Sequence, residues 1–516
     1  MLQASHSKIV TADPNYYVDS NPIVLKSLME DGQPTNSSRE TVHSSSTPAQ
    51  PVPRWLWIVL GIVLVAAFLR SQKSDDDVRF WAYVTQCAHD ENWEGIYDKE
   101  SNPFAFAPYA NLSMTAILYP LGYLPRPAMR LVMAILIMGM WWVMYRFMTA
   151  GIADSRLGFR GWIPLAACAP LLGMILAGRY LLNDLNCKQL NIITFGSGCA
   201  GLLLMLPSAR LRKQALGAVL LGFSIGLKLT TVPLLAMLLI KRAWRNAALV
   251  AACSFGFLWL LPHWLMGSKQ HLALSRRIEG SMFNMWLQVK DTEQTWSFAN
   301  FLHYRIYIDP LWPSLSETPP HVYQLLCVAV TLIIGLPALH VMLRRKWSNM
   351  DAMSLWEEVA MIGVAWALID PDGRTHHYVT LVPAFCYVMY RRLEAWHQRG
   401  EAPRRWQWCC YLAVGVTNLW LLRFPEPYAH HVYMHYGLYS GGLMLLYGLT
   451  YGEILLATQS VPVTIETTSR KRVSPTIRPE QVPARRDSGC NSPADANPAG
   501  TALRLFRPTR TPPVHK

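Results

Sequence analysis

The chain has 516 residues, of which 52% are hydrophobic and only 16% are charged. Soluble domains contain roughly 25% charged residues, so this composition excludes an ordinary soluble protein and indicates lipid as the main solvent. The net charge of +14 comes from Lys and Arg placed between apolar segments, which is typical of membrane-protein loops and gives no reason to expect a nucleic acid partner. Ten cysteines occur without a CxxC pair, so no zinc site can be read from their spacing.

Three parts of the chain differ in composition. Residues 1–53 are rich in Ser, Thr, Pro and Asn and are predicted to form a disordered cytoplasmic tail. Residues 54–456 carry the long apolar segments of a transmembrane domain, beginning with a first span from Trp55 to Leu69. Residues 457–516 are predicted to form a second disordered cytoplasmic tail, which is basic.

The apolar segments and the basic loops together predict a topology. Short loops rich in Lys and Arg remain cytoplasmic, and the chain has such clusters at 241–245, 344–346 and 391–405. The segments between them, 267–321 and 370–376, are then external, as is a large first loop at 71–130. The predicted fold class is an all-α integral membrane protein, a multi-pass bundle of about 11–13 transmembrane helices in the cell membrane.

Two segments do not fit a simple span. Residues 215–240 are too long for one span and too short for two, and they contain Lys228 near the middle. We predict a broken helical hairpin with Lys228 near its external end, because an ammonium group inside a membrane is costly and usually has a partner or a function. The apolar run 111–122 is shorter than a span and is predicted to be either re-entrant or a short span.

Carboxylates and cations collect on the predicted external side. Asp75, Asp76 and Asp77 follow the first span, either as a solvated acidic cluster or with one of them as a general base for a hydroxyl nucleophile. The external segments also contain cations and hydrogen-bond donors suited to an anionic leaving group: Arg179, Lys188, Gln189, Asn191, Gln294, Arg305, Arg374, His376 and His377. Adjacent histidines do not share one helix face, so no metal site is predicted, and no cofactor is expected.

Five motifs in order resemble those of glycosyltransferase family 87, the polyprenyl-phosphate-mannose-dependent mannosyltransferases of the GT-C fold. The similarity spans roughly residues 70–395. The first of these motifs, that of the first external loop, is matched in four pieces: 77–81 (DVRFW), 95–98 (GIYD, with Tyr97), 106–108 (FAP) and 120–125 (PLGYLP). The other four are matched by 188–191 (KQLN), 222–233 (GFSIGLKLTTVP), 293–295 (EQT, followed by Arg305) and 370–377 (DPDGRTHH). Lys188 stands where the family has Gly, Glu293 where it has Asn, and Asp370 where it has Ser.

The resemblance implies a function and a set of site residues. Asp77 corresponds to the family's catalytic base, which would deprotonate an acceptor hydroxyl for attack on the anomeric carbon, with inversion. The implied groups that bind the donor phosphate or the substrate are Lys228, Arg305, His376, His377, Gln189, Asn191, Gln294 and Tyr97. The implied partners are a polyprenyl-phosphate sugar as donor, a glycolipid or glycan as acceptor, and membrane lipid, with the active site on the external face.

Two other classes remain open at this stage. A transporter or lipid flippase would also carry ionisable residues within the membrane, and it would show inverted repeats or paired broken helices. The segment 215–240 is one candidate, and the sequence contains no convincing second copy. An inactive relative that serves as a scaffold would explain the motif departures, although the presence of Asp77 argues against it.

Overall fold

The computed structural model describes residues 54–73, 76–97, 112–153, 163–276, 302, 306, 319–370, 375–399, 405–418 and 438–459. The regular elements among these residues are all helical. Residues 1–53 and 460–516, which make up the predicted tails apart from 457–459, lie outside the described residues, as do Gln294 and Arg305.

The described α-helices are numbered in chain order. The first eight are α1 (Arg54–Ser71), α2 (Asp76–His89), α3 (Leu112–Leu118), α4 (Arg126–Ala153), α5 (Ile163–Leu176), α6 (Gly178–Cys187), α7 (Asn191–Leu204) and α8 (Leu211–Leu227). The next eight are α9 (Val232–Ile240), α10 (Trp244–Phe255), α11 (Leu261–Met266), α12 (Pro320–Leu343), α13 (Ala352–Ile369), α14 (Val382–Arg399), α15 (Arg405–Asn418) and α16 (Leu438–Gln459). Short 3₁₀ segments cover Tyr119–Tyr123, Leu229–Thr231, Trp347–Asn349 and Thr375–Leu381, and a π-helical turn, Gly256–Leu260, joins α10 to α11.

The lengths of several helices match the thickness of a membrane. Five described helical stretches are long and apolar enough to cross one: Arg126–Ile152, Trp244–Met266, His321–Leu343, Ala352–Ile369 and Ser440–Ala457. Two shorter apolar helices are also described, Asn191–Leu204 and Leu229–Ile240, and the second of them lies within the predicted broken hairpin at 215–240. Large apolar side chains such as Trp264 and Leu332 are exposed on the five long stretches, as expected where lipid is the solvent. The chain is therefore a polytopic membrane protein, as predicted.

Helix α13 forms the centre of the bundle, with 83% of its span buried. It packs against α4, α12, α14 and α16, and the indole of the fully buried Trp356 donates a hydrogen bond to the Pro383 carbonyl at 2.9 Å. At Gly363 the 3₁₀ segment Thr375–Leu381 approaches so closely that an added Cβ would meet the Thr380 carbonyl oxygen at 2.1 Å. Glycine at this position thus lets α13 hold the segment that carries His377.

The predicted hairpin at 215–240 is confirmed as a helix break. Helix α8 ends at Leu227, Lys228 is extended with φ −148° and ψ 133°, and the chain then turns through Leu229–Thr231 into α9. The Ser224 hydroxyl bonds to Thr194 O at 2.7 Å and to the Thr231 hydroxyl at 2.9 Å, which ties the break to α7. The run 111–122 contains the seven-residue α3, which is too short to span, and its Ser113 hydroxyl bonds to the Gly226 carbonyl beside the break.

The basic clusters at 241–245, 344–346 and 391–392 meet at the other end of the bundle. Lys241 Nζ lies 2.8 Å from a carboxylate oxygen of the buried Glu358 and donates to the Arg345 carbonyl at 2.8 Å. Arg345 pairs with Glu357, which also accepts a 2.9 Å hydrogen bond from Tyr387, one helical turn before Arg391. The 17 residues of α8 rise about 25 Å, so this end lies about one hydrocarbon thickness from Lys228.

Candidate active site

Asp77 stands in the first turn of α2, where a carboxylate is stabilised by the helix dipole. Its side chain is half-buried, and its Oδ2 accepts a hydrogen bond from Gln189 Nε2. Trp81, one turn further along α2, donates through its indole to the Lys188 carbonyl at 3.3 Å. The face of α2 that carries Asp77 is therefore fixed against the link between α6 and α7.

That link is a left-handed turn centred on Lys188. Its φ of 56° and ψ of 39° end α6, and the amides of Lys188 and Gln189 both bond to the Asp184 carbonyl. The turn directs Gln189 towards Asp77 and begins α7 at Asn191. Left-handed geometry is most easily adopted by glycine, the residue that the resembling family motif has at this position.

Lys188 is one of the cations that the sequence analysis grouped on the external side as suited to an anionic leaving group, and the structure gives it a different environment. It is fully buried, and its ammonium donates to the carbonyl oxygens of Ser71 at 2.5 Å and Leu185 at 2.9 Å. These bonds join the end of α1 to the end of α6. The two hydrogen bonds of the lysine ammonium thus offset the free-energy cost of the left-handed backbone conformation.

This double role predicts a difference between two substitutions. Lys188→Ala removes both hydrogen bonds and keeps the strained backbone, whereas Lys188→Gly removes the bonds and relieves a strain of roughly 1–2 kcal/mol. We expect both variants to unfold at a lower temperature than the wild type, with the alanine variant the less stable, in thermal unfolding of the purified protein in detergent. An alanine variant more stable than the glycine variant would contradict the assigned turn.

Asp184 is a member of this cluster that the sequence analysis did not identify. It lies on α6, which is amphipathic and too short to span a membrane, and its side chain is fully buried. Its Oδ1 accepts from Asn191 Nδ2 at 3.1 Å, and its Oδ2 accepts from the Ile192 amide at 3.4 Å, so it caps the start of α7. Burial raises the pKa of the Asp184 carboxyl, and the nearby Lys228 ammonium opposes that rise.

Lys228 meets this cluster from the break after α8. Its Nζ donates to Asn191 Oδ1 at 2.6 Å, so the amide of Asn191 bridges a carboxylate on one side and an ammonium on the other. Gln189, which donates to Asp77, lies two residues before Asn191 on the same turn. Four predicted site residues, Asp77, Gln189, Asn191 and Lys228, are therefore brought together.

The remaining predicted site residues are less fully placed. His377 Nδ1 lies 3.4 Å from Asp370 Oδ2, on a 3₁₀ segment that packs against α6 and α7 near the cluster. His376 belongs to the same segment, and its side chain is not described. Tyr97 is buried in the core, 6% exposed. The described residues contain no group of three or more His, Cys, Asp or Glu side chains arranged for a metal ion.

The fold and this cluster define a polytopic membrane protein with carboxylates and an ammonium group linked through Asn191 and Gln189 at one end of the bundle. The sequence model of glycosyltransferase family 87 matches residues 112–371, which is half of the chain. The chain belongs to this family and is a membrane glycosyltransferase. Gln189, Asn191 and Lys228 fall inside the matched segment, whereas Asp77, His376 and His377 fall outside it.

One relative gives a finer comparison. The chain is 22% identical over 327 residues to a polyprenol-phosphate-mannose-dependent alpha-(1-2)-phosphatidylinositol pentamannoside mannosyltransferase of Mycolicibacterium smegmatis. The alignment covers 63% of this chain and 69% of that relative. No solved structure matches the chain significantly.

Proposed function

We propose that the protein transfers a hexose from a polyprenyl-phosphate sugar to a lipid or glycan acceptor, and that this hexose is mannose. The proposal rests on two hydrogen bonds, one from Gln189 to the Asp77 carboxylate and one from the Lys228 ammonium to Asn191. Gln189 and Asn191 are two residues apart on the same turn, so they hold Asp77 and Lys228 close to each other. A base and a cation so arranged suit the two ends of a displacement reaction, in which a nucleophile loses a proton and a leaving group gains negative charge. The mannosyl donor is taken from the name of the mycobacterial relative.

In the proposed reaction, Asp77 accepts the proton of the acceptor hydroxyl as its oxygen attacks the anomeric carbon. The bond from that carbon to the phosphate oxygen breaks, and the polyprenyl phosphate departs with the bonding electrons. Lys228 stabilises the charge on the leaving phosphate, with His376, His377 and Arg305 as further contributors. A single displacement inverts the anomeric centre, so a β-linked donor gives an α-linked product. Gln294 and Tyr97 remain proposed substrate-binding residues.

The orientation in the membrane is part of the proposal. The basic clusters gathered around Lys241 and Arg345 favour a cytoplasmic location for that end of the bundle. The end with Asp77 and Lys228 then faces outwards, and both tails are cytoplasmic. Donor sugars attached to lipid phosphate are available on that side without a nucleotide.

Donor choice provides the test of this function. Membranes that contain the full chain are supplied in parallel with radiolabelled polyprenyl-phosphate-mannose, polyprenyl-phosphate-glucose and a mannose nucleotide, and label incorporated into endogenous lipid and glycan acceptors is measured. We expect incorporation from the lipid-phosphate mannose at least 10-fold above membranes without the protein, and none from the nucleotide. Incorporation from the nucleotide alone, or movement of the intact donor across the membrane without a new glycosidic bond, would contradict the proposal.

A further inference from the structure

An open pocket of about 410 Å³ lies at the end of the bundle opposite Asp77 and Lys228. It is bounded by the start of α8, the link between α9 and α10, and the 3₁₀ segment Trp347–Asn349. The polar and aromatic side chains of its lining are Gln214, Arg242, Trp244, Arg245, Asn246 and Trp347. None of the residues that line it is acidic.

The two arginines of this pocket differ from their basic neighbours. Lys241 is paired with Glu358, and Arg345 is paired with Glu357. Arg242 and Arg245 are exposed and form no ion pair with any carboxylate in the described part of the chain. Two guanidinium groups, three residues apart in the chain, therefore line a pocket whose lining has no carboxylate to neutralise them.

The backbone of the pocket reinforces this positive character. Arg242 has a left-handed φ of 55°, and the amides of Arg242 and Ala243 bond back to α9 at 2.9 Å, so the chain reverses there into α10. The first turn of α10 contains no acidic residue to satisfy its free amide groups. Asn246 donates to Met205 O at 3.2 Å and Gln214 to Ala209 O at 3.1 Å, which holds the polar floor in place.

Two tryptophans give the pocket an apolar rim. Trp244 is 62% exposed, and Trp347 is half-buried. Exposed indoles are enriched at the level of lipid headgroups, where one side of the ring is apolar and its N–H is wet. The pocket lies about 25 Å along α8 from Lys228, so it reaches the headgroup region of one leaflet when Lys228 lies near the other.

We propose that this pocket binds the phosphodiester of an anionic phospholipid. Arg242 and Arg245 bind the phosphate oxygens, because a guanidinium offers paired N–H donors that match them. Trp244 and Trp347 contact the glycerol and the first part of the acyl chains. The site is separate from the sugar-transfer reaction, so its occupancy does not depend on the proposed donor.

The test is lipid binding by the purified full chain, measured by native mass spectrometry. Phosphatidylglycerol and phosphatidylcholine are titrated separately onto delipidated protein, and glycerol 3-phosphate is added as a competitor without acyl chains. We expect one phosphatidylglycerol to bind at least 10-fold more tightly than phosphatidylcholine. We expect Arg242→Gln combined with Arg245→Gln to weaken that binding by 10-fold or more.

A second pair of substitutions supplies the matched control. Arg212→Gln with Lys213→Gln removes the same charge from the same end of the bundle, on α8 outside the pocket lining, and should change the affinity by less than about 3-fold. Thermal unfolding of both double variants shows whether each remains folded. Equal loss in both pairs would overturn the proposal in favour of a diffuse surface charge. Equal affinity for phosphatidylcholine, or full competition by glycerol 3-phosphate, would also overturn a phospholipid site.

Discussion

Asp77→Asn lowers the rate of sugar transfer by about 10²-fold or more, the range expected when a general base is lost. Asparagine has nearly the same shape, and its side-chain oxygen can still accept the hydrogen bond from Gln189, so the position of α2 is preserved. What is lost is the ability to take a proton from the acceptor hydroxyl. The rate is measured with polyprenyl-phosphate-mannose at equal amounts of folded protein.

A matched substitution just beyond the end of α2 separates this effect from a general loss of charge. Asp90 follows the end of α2, is exposed, and accepts a 3.0 Å hydrogen bond from Gln86. Asp90→Asn should leave the transfer rate within about 2-fold of wild type, because it touches none of the cluster residues. Equal rates for wild type and Asp77→Asn would exclude Asp77 as the base.

Lys228→Met lowers kcat by about 10²–10³-fold, the loss typical when one group that stabilises developing charge is removed. Methionine keeps the length of the side chain and removes the ammonium that rests on Asn191 Oδ1. Because the charge on the phosphate grows as the sugar bond breaks, kcat should fall more than the affinity for the donor. Lys228→Arg, which keeps the positive charge, should retain more activity than Lys228→Met.

The control for Lys228 lies on α8, the helix that ends just before Lys228. Lys213 is exposed at the first turn of α8, and Lys213→Met removes one charge at the far end of the bundle. We expect its kcat to remain within about 2-fold of wild type. If Lys228→Met and Lys213→Met showed the same kcat, Lys228 would have no role in charge stabilisation.

Part of this site could be predicted from the sequence, because some signals are local. The length of 215–240, which fits neither one span nor two, predicts a helix break together with Lys228, whose ammonium must leave the lipid or find a partner. The break is present, with Asn191 as the partner. Asp77, Gln189 and Asn191 were identified through a family resemblance, and the cluster that they form with Lys228 needed three-dimensional information.

Asp184 could not be predicted in the same way, because its role depends on a backbone turn. A single aspartate in a short amphipathic helix usually faces solvent. Here the left-handed residue Lys188 folds the chain back, so that Asn191 and Ile192, seven and eight residues later, reach the Asp184 carboxylate. The substitution of Lys for the family's Gly hid that turn, and it also made Lys188 look like a surface cation.

The configuration of the bond that the protein forms tests the proposed inverting sugar transfer most directly. The full chain, reconstituted in liposomes with acceptor lipids, is given a synthetic β-linked polyprenyl-phosphate-mannose labelled with ¹³C at the anomeric carbon, and the product is analysed by NMR. Inverting transfer gives an α-linked mannose on the acceptor, with one polyprenyl phosphate released for each bond formed. A β-linked product, or labelled donor that changes membrane face without a new bond, would contradict it.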